Sequence, residues 1–183
     1  MALKATIFKA ELQVADIDRG YYADHALTIA RHPSETDERM MVRLLAFALH
    51  ASDSLEFAGG LSDEDLPDLW DRDLTGAIRA WIDVGLPDEK RVRRACGRAD
   101  RVYVYCYGRG AERWWSDVGA SLGRSERLSV IALPLAATRE LAALARRSMQ
   151  LAFTIQDGHV LASDGSKTVQ VELEYLQRAA ARE

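Results

Sequence analysis

Apolar and polar residues alternate from Lys4 to Ala15. Thr6, Phe8, Ala10, Leu12 and Val14 fall on one side, and Ile7, Lys9, Glu11 and Gln13 on the other. A period of two is that of a half-buried strand. Asp16-Ile17-Asp18-Arg19-Gly20 has turn chemistry. Alternation then resumes from Tyr21 to Arg31, with Tyr21, Ala23, Leu27 and Ile29 on one face. The first 31 residues therefore predict a long β-hairpin. After Pro33 the period changes. Ser34, followed three residues later by Asp37, resembles a capping box and predicts a helix to about Ala51. At 100° per residue, Met40, Met41, Val42, Leu44, Leu45, Phe47, Ala48 and Leu49 form one wide apolar arc, and Glu35, Arg39, Arg43 and His50 an opposite polar strip.

Further elements follow in short alternation. Ser54 to Gly60 predicts a brief strand, and the acidic stretch 62–73, with Pro67 in its middle, either a helical turn or an irregular entry to another strand. Ile78 to Gly85 predicts an interior strand, apolar on both faces apart from Asp83. Pro87 suits a first helical residue, and Asp88 and Glu89 suit the positive end of a helix dipole. That helix runs to about Ala99, with Val92, Ala95, Cys96 and Ala99 on a narrow apolar face and Lys90, Arg93, Arg94 and Arg98 on the other side. A strand over 101–107, a helix over 111–122, a strand over 128–133 and a helix over 138–147 come next. The tail predicts a meander of strands over 149–156, 159–162 and 168–176, with Asp157-Gly158 and Asp164-Gly165 as hairpin turns. The pattern is that of one α/β domain over 1–183 with a mixed central sheet, extended by the N-terminal hairpin and the C-terminal meander.

Composition narrows the function classes. The 183 residues carry 24 Lys plus Arg and 28 Asp plus Glu, a formal charge of −4, so any nucleic-acid contact must come from a local basic patch. Cys96 and Cys106 are too few for a disulfide framework and point to a reduced, cytoplasmic setting. There is no signal-peptide pattern and no apolar run long enough for a membrane span. Phosphate-binding glycine loops, nucleophile elbows, Cys-x-x-Cys pairs and metal-type histidine spacings are missing.

Carboxylates carry the remaining signal. Glu38 falls on the helical wheel between Leu45 and Leu49, and Asp83 is the one acid in an apolar strand. A buried carboxylate needs an arginine, backbone donors or a metal ion. Each of the two acids answers to a structural reading, and together on a helix and a nearby strand they point to a divalent-metal site. Arg93, Arg94 and Arg98 with Lys90 would bind phosphates or form a solvated face paired with nearby acids. Tyr103, Tyr105, Tyr107, Trp114 and Trp115 fit core and rim packing better than base stacking.

Three segments, Met-Ala-Leu-Lys-Ala-Thr-Ile-Phe-Lys (1–9), Arg-His-Pro-Ser-Glu-Thr-Asp-Glu-Arg-Met-Met (31–41) and Trp-Ile-Asp-Val-Gly-Leu-Pro-Asp-Glu-Lys-Arg (81–91), together with the Ile155-Gln156-Asp157-Gly158 turn, closely resemble the YaeQ family of small bacterial proteins. The resemblance spans nearly the whole chain. It implies a fold similar to PD-(D/E)XK, restriction-endonuclease-like nucleases, with no settled activity. The order helix, three strands, helix, strand over about 34–107 agrees with the αβββαβ core of that fold. On this mapping Glu38 takes the helix acid and Asp83 the strand acid. Pro67-Asp68 matches the Pro-Asp step, with Asp73 nearer in a tight hairpin. The lysine two residues after the strand acid is replaced by Gly85, and Lys90 would have to reach back in its place.

Two functional expectations follow. In the first, Glu38, Asp68 and Asp83 hold one or two Mg²⁺ or Mn²⁺ ions, an activated water attacks a phosphodiester, and Lys90 stabilises the developing charge. In the second, the same fold is catalytically inactive and binds nucleic acid, through Arg93, Arg94 and Arg98, or a protein partner.

Overall fold

A computed structural model describes residues 3–181, which form two compact units, 3–51 with 134–173 and 52–133 with 174–181. The mixed α/β class expected from the sequence holds, with two mixed sheets and four α-helices among the described residues. The αβββαβ order is present, but its first helix lies in the first unit and its strands and second helix in the second.

In the first unit, β1 (Thr6–Asp16) and β2 (Tyr21–Arg31) form the predicted hairpin, paired without interruption from Thr6↔Arg31 to Asp16↔Tyr21. β1 also runs parallel to β8 (Ser148–Gln156), which continues through β9 (His159–Ser163) to β10 (Thr168–Glu172), so the sheet order is β10-β9-β8-β1-β2. The first strand and the tail meander thus share one sheet. Alternation sets the faces: Phe8, Ala10, Leu12 and Val14 of β1 are buried with Met149, Leu151, Phe153 and Ile155 of β8. Helix α1 (Asp37–His50) packs on β1 and on α4 (Leu135–Ala143).

The polar strip predicted for α1 does not face water. Every residue from Met40 to Ala48 is buried, Arg43 included. The buried Glu35 carboxylate accepts from both Arg39 (2.5 Å) and Arg43, and Arg43 Nη2 also donates to the Ala30 carbonyl at 3.0 Å. Charge neutralised at close range makes burial of that strip tolerable. The helix begins later than Ser34 predicted. Thr36 is the N-cap, its hydroxyl accepting from Arg39 N at 3.1 Å. Its far end is closed from the β1–β2 turn, where Arg19 pairs with the buried Asp16 at 2.6 Å and donates to the Ala51 carbonyl at 3.1 Å.

In the second unit the sheet order is β11-β7-β6-β5-β4-β3. β3 (Leu55–Phe57), β4 (Leu69–Arg72) and β5 (Ile78–Val84) form an antiparallel meander, and β6 (Ala99–Cys106) and β7 (Leu128–Ala132) follow β5 in parallel. Helices α2 (Glu89–Arg98) and α3 (Ala111–Leu122) make the crossovers. Trp81, Val92, Ala95, Val102, Val104 and Cys106 are central to this core. Burial pushes the Cys106 thiol up to about 11, the environment of a packing residue rather than a nucleophile. Trp114 and Trp115 pack on the same core, and the Trp114 indole donates to the Pro87 carbonyl at 2.7 Å. The tail strand expected over 168–176 is two strands. It breaks at Leu173, and β11 (Glu174–Gln177) joins β7 in the second sheet. The helix expected over 138–147 runs instead over Leu135–Ala143, beginning just after Pro134, which has no N–H to leave unsatisfied. No described helix is long and apolar enough to cross a membrane.

His50 gives this architecture a pH dependence. Burial pushes its imidazole down to about 3, and the Arg19 guanidinium acts in the same direction while Asp16 opposes it. The folded chain therefore holds His50 neutral, whereas the unfolded chain protonates it near its ordinary value of 6.5. The contribution is complete above that value and is lost as pH falls from there towards 3. The melting temperature should drop between pH 7 and pH 5, and His50→Gln should flatten that slope. An unchanged slope in the variant would show that other groups set it.

Candidate functional site

Asp68 and Asp83 lie together in the second unit. Asp68 directly precedes β4, and Asp83 is the penultimate residue of β5, so antiparallel pairing of Leu69 with Ile82 brings the two side by side. Both are only 2 % exposed. The Asp68 amide donates to the Ile82 carbonyl at 3.1 Å and to Asp83 Oδ1 at 3.3 Å, while the Val84 amide donates to Asp68 Oδ2 at 2.9 Å.

The donor that matters most is Arg91, in the first turn of α2. Its Nε donates to Asp83 Oδ2 at 2.9 Å and its Nη2 to Asp83 Oδ1 at 2.8 Å, a two-pronged ion pair. Trp81 Nε1 adds a third donor, to Oδ2 at 3.0 Å. Arg91 then continues outward, donating to the Glu64 and Leu66 carbonyls, each at 2.8 Å. It thereby ties the loop before Pro67 to the helix. Burial opposes the Arg91 charge, but its bonds to Asp83 and the nearby Asp68 and Asp88 outweigh that and hold its pKa above the ordinary value. Asp88 sets the arginine's position. It is the N-cap of α2, accepting from Arg91 N at 2.8 Å, so the helix starts at Glu89, two residues later than Pro87 predicted.

An ionised carboxylate offers about four lone-pair positions. Asp83 fills them with Arg91 Nη2 and the Asp68 amide on Oδ1, and Arg91 Nε and Trp81 Nε1 on Oδ2. A hard divalent cation needs such positions free. The arrangement around Asp83 does not fit one unless Arg91 moves away. Among the described residues no group of three or more His, Cys, Asp or Glu side chains is placed to hold a metal ion.

The other predicted residues are distributed as follows. Glu38 belongs to the first unit, half-buried in the first turn of α1, and accepts from the Thr138 hydroxyl of α4 at 3.3 Å. Asp73 is a half-buried residue at the β4–β5 turn whose carboxylate accepts from the Thr75 hydroxyl and from the Thr75 and Ala77 amides. Its Thr75 bonds hold its pKa below the ordinary value. Lys90 is exposed on α2. The three arginines expected to meet phosphates are engaged locally. Arg93 pairs with Glu89 and bonds Ser121, Arg94 pairs with Asp65 at 2.5 Å, and Arg98 donates to the Asp65 carbonyl at 2.9 Å. Gly85 has φ +99°, a backbone conformation that L side chains rarely adopt. The absent lysine is thus tied to the backbone: a side chain at 85 would be strained there.

Sequence reading assigned Arg91 no role. Its one signal was its position in the turn after the strand that carries the buried Asp83. Likewise Glu35 and Arg43 were assigned to solvent because a helical wheel cannot show what covers each face.

With this geometry established, comparison with known proteins places the chain. Its residues 1–173 match the model of the YaeQ protein family, and it belongs to that family. It is 45 % identical over 174 residues to the uncharacterised protein YaeQ of Salmonella typhi, covering 94 % of this chain and 96 % of that protein, and 44 % identical, with the same coverage, to its Escherichia coli counterpart. Among solved structures, YaeQ from Xanthomonas axonopodis pv. citri superposes with a TM-score of 0.92 at 52 % identity, covering 97 % of this chain and 99 % of that one. YaeQ from Pseudomonas syringae gives 0.91 at 36 % identity, with 95 % and 97 % covered.

Removing Arg91 leaves Asp83 buried without its counter-charge. Arg91→Ala should destabilise the chain by about 3–5 kcal/mol, measured by urea unfolding, and Asp83→Asn in that background should cost little more. Additive losses would mean the two side chains are not coupled. Gly85→Lys should cost about 1–2 kcal/mol from φ alone.

Proposed function

We propose that this protein works as a non-catalytic binding module whose ligand is a protein, and that Asp83 is a structural ion-pair residue within it. The observation that carries this reading is the saturation of the Asp83 carboxylate by Arg91, Trp81 and the Asp68 amide. A nucleophilic water activated by metal would need that carboxylate as a ligand. The choice of protein over nucleic acid rests on charge. The chain is net acidic, and Arg93, Arg94 and Arg98 each direct a donor at Glu89, Ser121 or Asp65 of their own unit. The acids beside them offset part of the positive charge that a phosphate would meet.

The competing reading, a metal-dependent nuclease using Glu38, Asp68, Asp83 and Lys90 with Mg²⁺ or Mn²⁺, draws support from the αβββαβ element order and from the two adjacent buried acids. One set of measurements separates them. Millimolar Mg²⁺ or Mn²⁺ should leave the melting temperature of the wild type unchanged. Single-stranded, duplex and branched DNA and RNA should be neither cleaved nor bound in a salt-dependent way. Cleavage that disappears with Lys90→Ala would overturn the proposal in favour of the nuclease. Salt-dependent binding weakened by neutralising Arg93, Arg94 and Arg98 would keep the module and change its ligand to nucleic acid.

A further inference from the structure

Among the described residues, three of the four sheet edges are protected in ways that discourage strand addition. β3 has three residues, β11 has four and a register irregularity, and β10 has α4 packed against it. The fourth edge, β2, is eleven residues long, pairs with β1 without a bulge, and contains no proline, glycine or lysine.

Hydrogen-bond parity shows which β2 groups are unspent on β1. Lys9 and Ile17 amides donate to the Arg147 and Ile155 carbonyls on the β8 side, so the odd residues of β1 serve β8 and the even ones serve β2. In the antiparallel register, even residues of β1 meet odd residues of β2. The amides and carbonyls of Tyr22, Asp24, Ala26, Thr28 and Ala30 therefore point away from the sheet. Arg43 takes the Ala30 carbonyl. Tyr22, Asp24, Ala26 and Thr28 remain as the open stretch, and all four side chains are exposed. On the other face Tyr21, Ala23, His25 and Leu27 are only half-buried, although their β1 partners Leu12 and Val14 are buried.

We propose that β2 pairs antiparallel with β2 of a second copy of this chain, with the two-fold axis at His25. This register uses the open groups and no others: Tyr22 meets Thr28 of the second copy, and Asp24 meets Ala26, giving about eight inter-strand bonds. It sets Tyr21 against Ile29 and Ala23 against Leu27, covering the half-buried face. Neighbouring symmetric registers are worse. Centring on Asp24 opposes two like carboxylates, and centring on Ala26 needs the Ala30 carbonyl that Arg43 occupies. The sequence of the open stretch is thus complementary to itself, which favours a second copy over an unrelated strand. The inference stands whether or not the binding reading above survives.

Sedimentation equilibrium of the full chain from about 1 to about 200 µM should give a concentration-dependent dimer. Ala26→Pro removes one outward amide and places a ring in the partner's path, with no intrachain bond lost. It should weaken dimerisation at least about tenfold with an unchanged circular dichroism spectrum, while Ala26→Val retains the dimer. In wild type, exchange of the Tyr22, Asp24, Ala26 and Thr28 amides should slow as concentration rises. This measurement decides the matter should the proline variant not fold. A wild type that stays monomeric throughout, a dimer indifferent to Ala26→Pro in a folded variant, or a dimer in which those four amides exchange freely would each overturn the proposal.

Discussion

The second unit is organised around one buried ion pair. Asp83 is the penultimate residue of a strand with apolar surroundings, and a lone carboxylate there would be very costly. Arg91 removes that cost and does so with directional bonds, so it also fixes where α2 starts and where the 64–66 backbone lies. The capping of α2 by Asp88, the clasp between Asp68 and β5, and the indole of Trp81 all converge on the same point. Such pairs contribute little net stability compared with a well-packed apolar replacement, but breaking them from one side is expensive. Their effect is to specify one geometry.

That geometry bears on function because an ion pair and a metal ion compete for the same lone pairs. A carboxylate that receives four protein donors must give some of them up to hold a cation. The arginines of α2 show the same economy: their donors are directed at acids and carbonyls of their own unit. Membership of the YaeQ family fixes the scaffold, with crystal structures of two relatives superposing at TM-scores above 0.9. Chemistry has to be argued from the side chains.

Much of the fold was legible in the sequence because its signals are local. Period-two alternation marked β1 and β2, Asp-Gly marked the β8–β9 turn, and the apolar run around Asp83 marked an interior strand. What was illegible depended on contacts distant in the chain. Arg43 and Glu35 read as a solvent strip because their neutralising partnership is not a helical-wheel property. The break at Leu173 was hidden because Thr168–Leu176 alternates well enough for one strand, and only the sheets available to pair with it divide it. For the site, the apolar strand marked Asp83 as an acid needing a partner, whereas Asp68 entered only through the Pro-Asp match of the family resemblance. The partner was missed because Arg91 lies among other basic residues of α2, and their sequence gives no sign of which one turns inward.

The most direct test follows the Arg91 Nε–H and Trp81 Nε1–H signals by NMR during titration with Mn²⁺. Both protons lie on Asp83 Oδ2, so a paramagnetic ion bound to that carboxylate would broaden them before any others. The ion-pair account predicts that both signals persist unchanged at millimolar Mn²⁺. Their selective loss at low metal concentration, reversed by Mg²⁺, would contradict it and return Asp83 to the role of metal ligand.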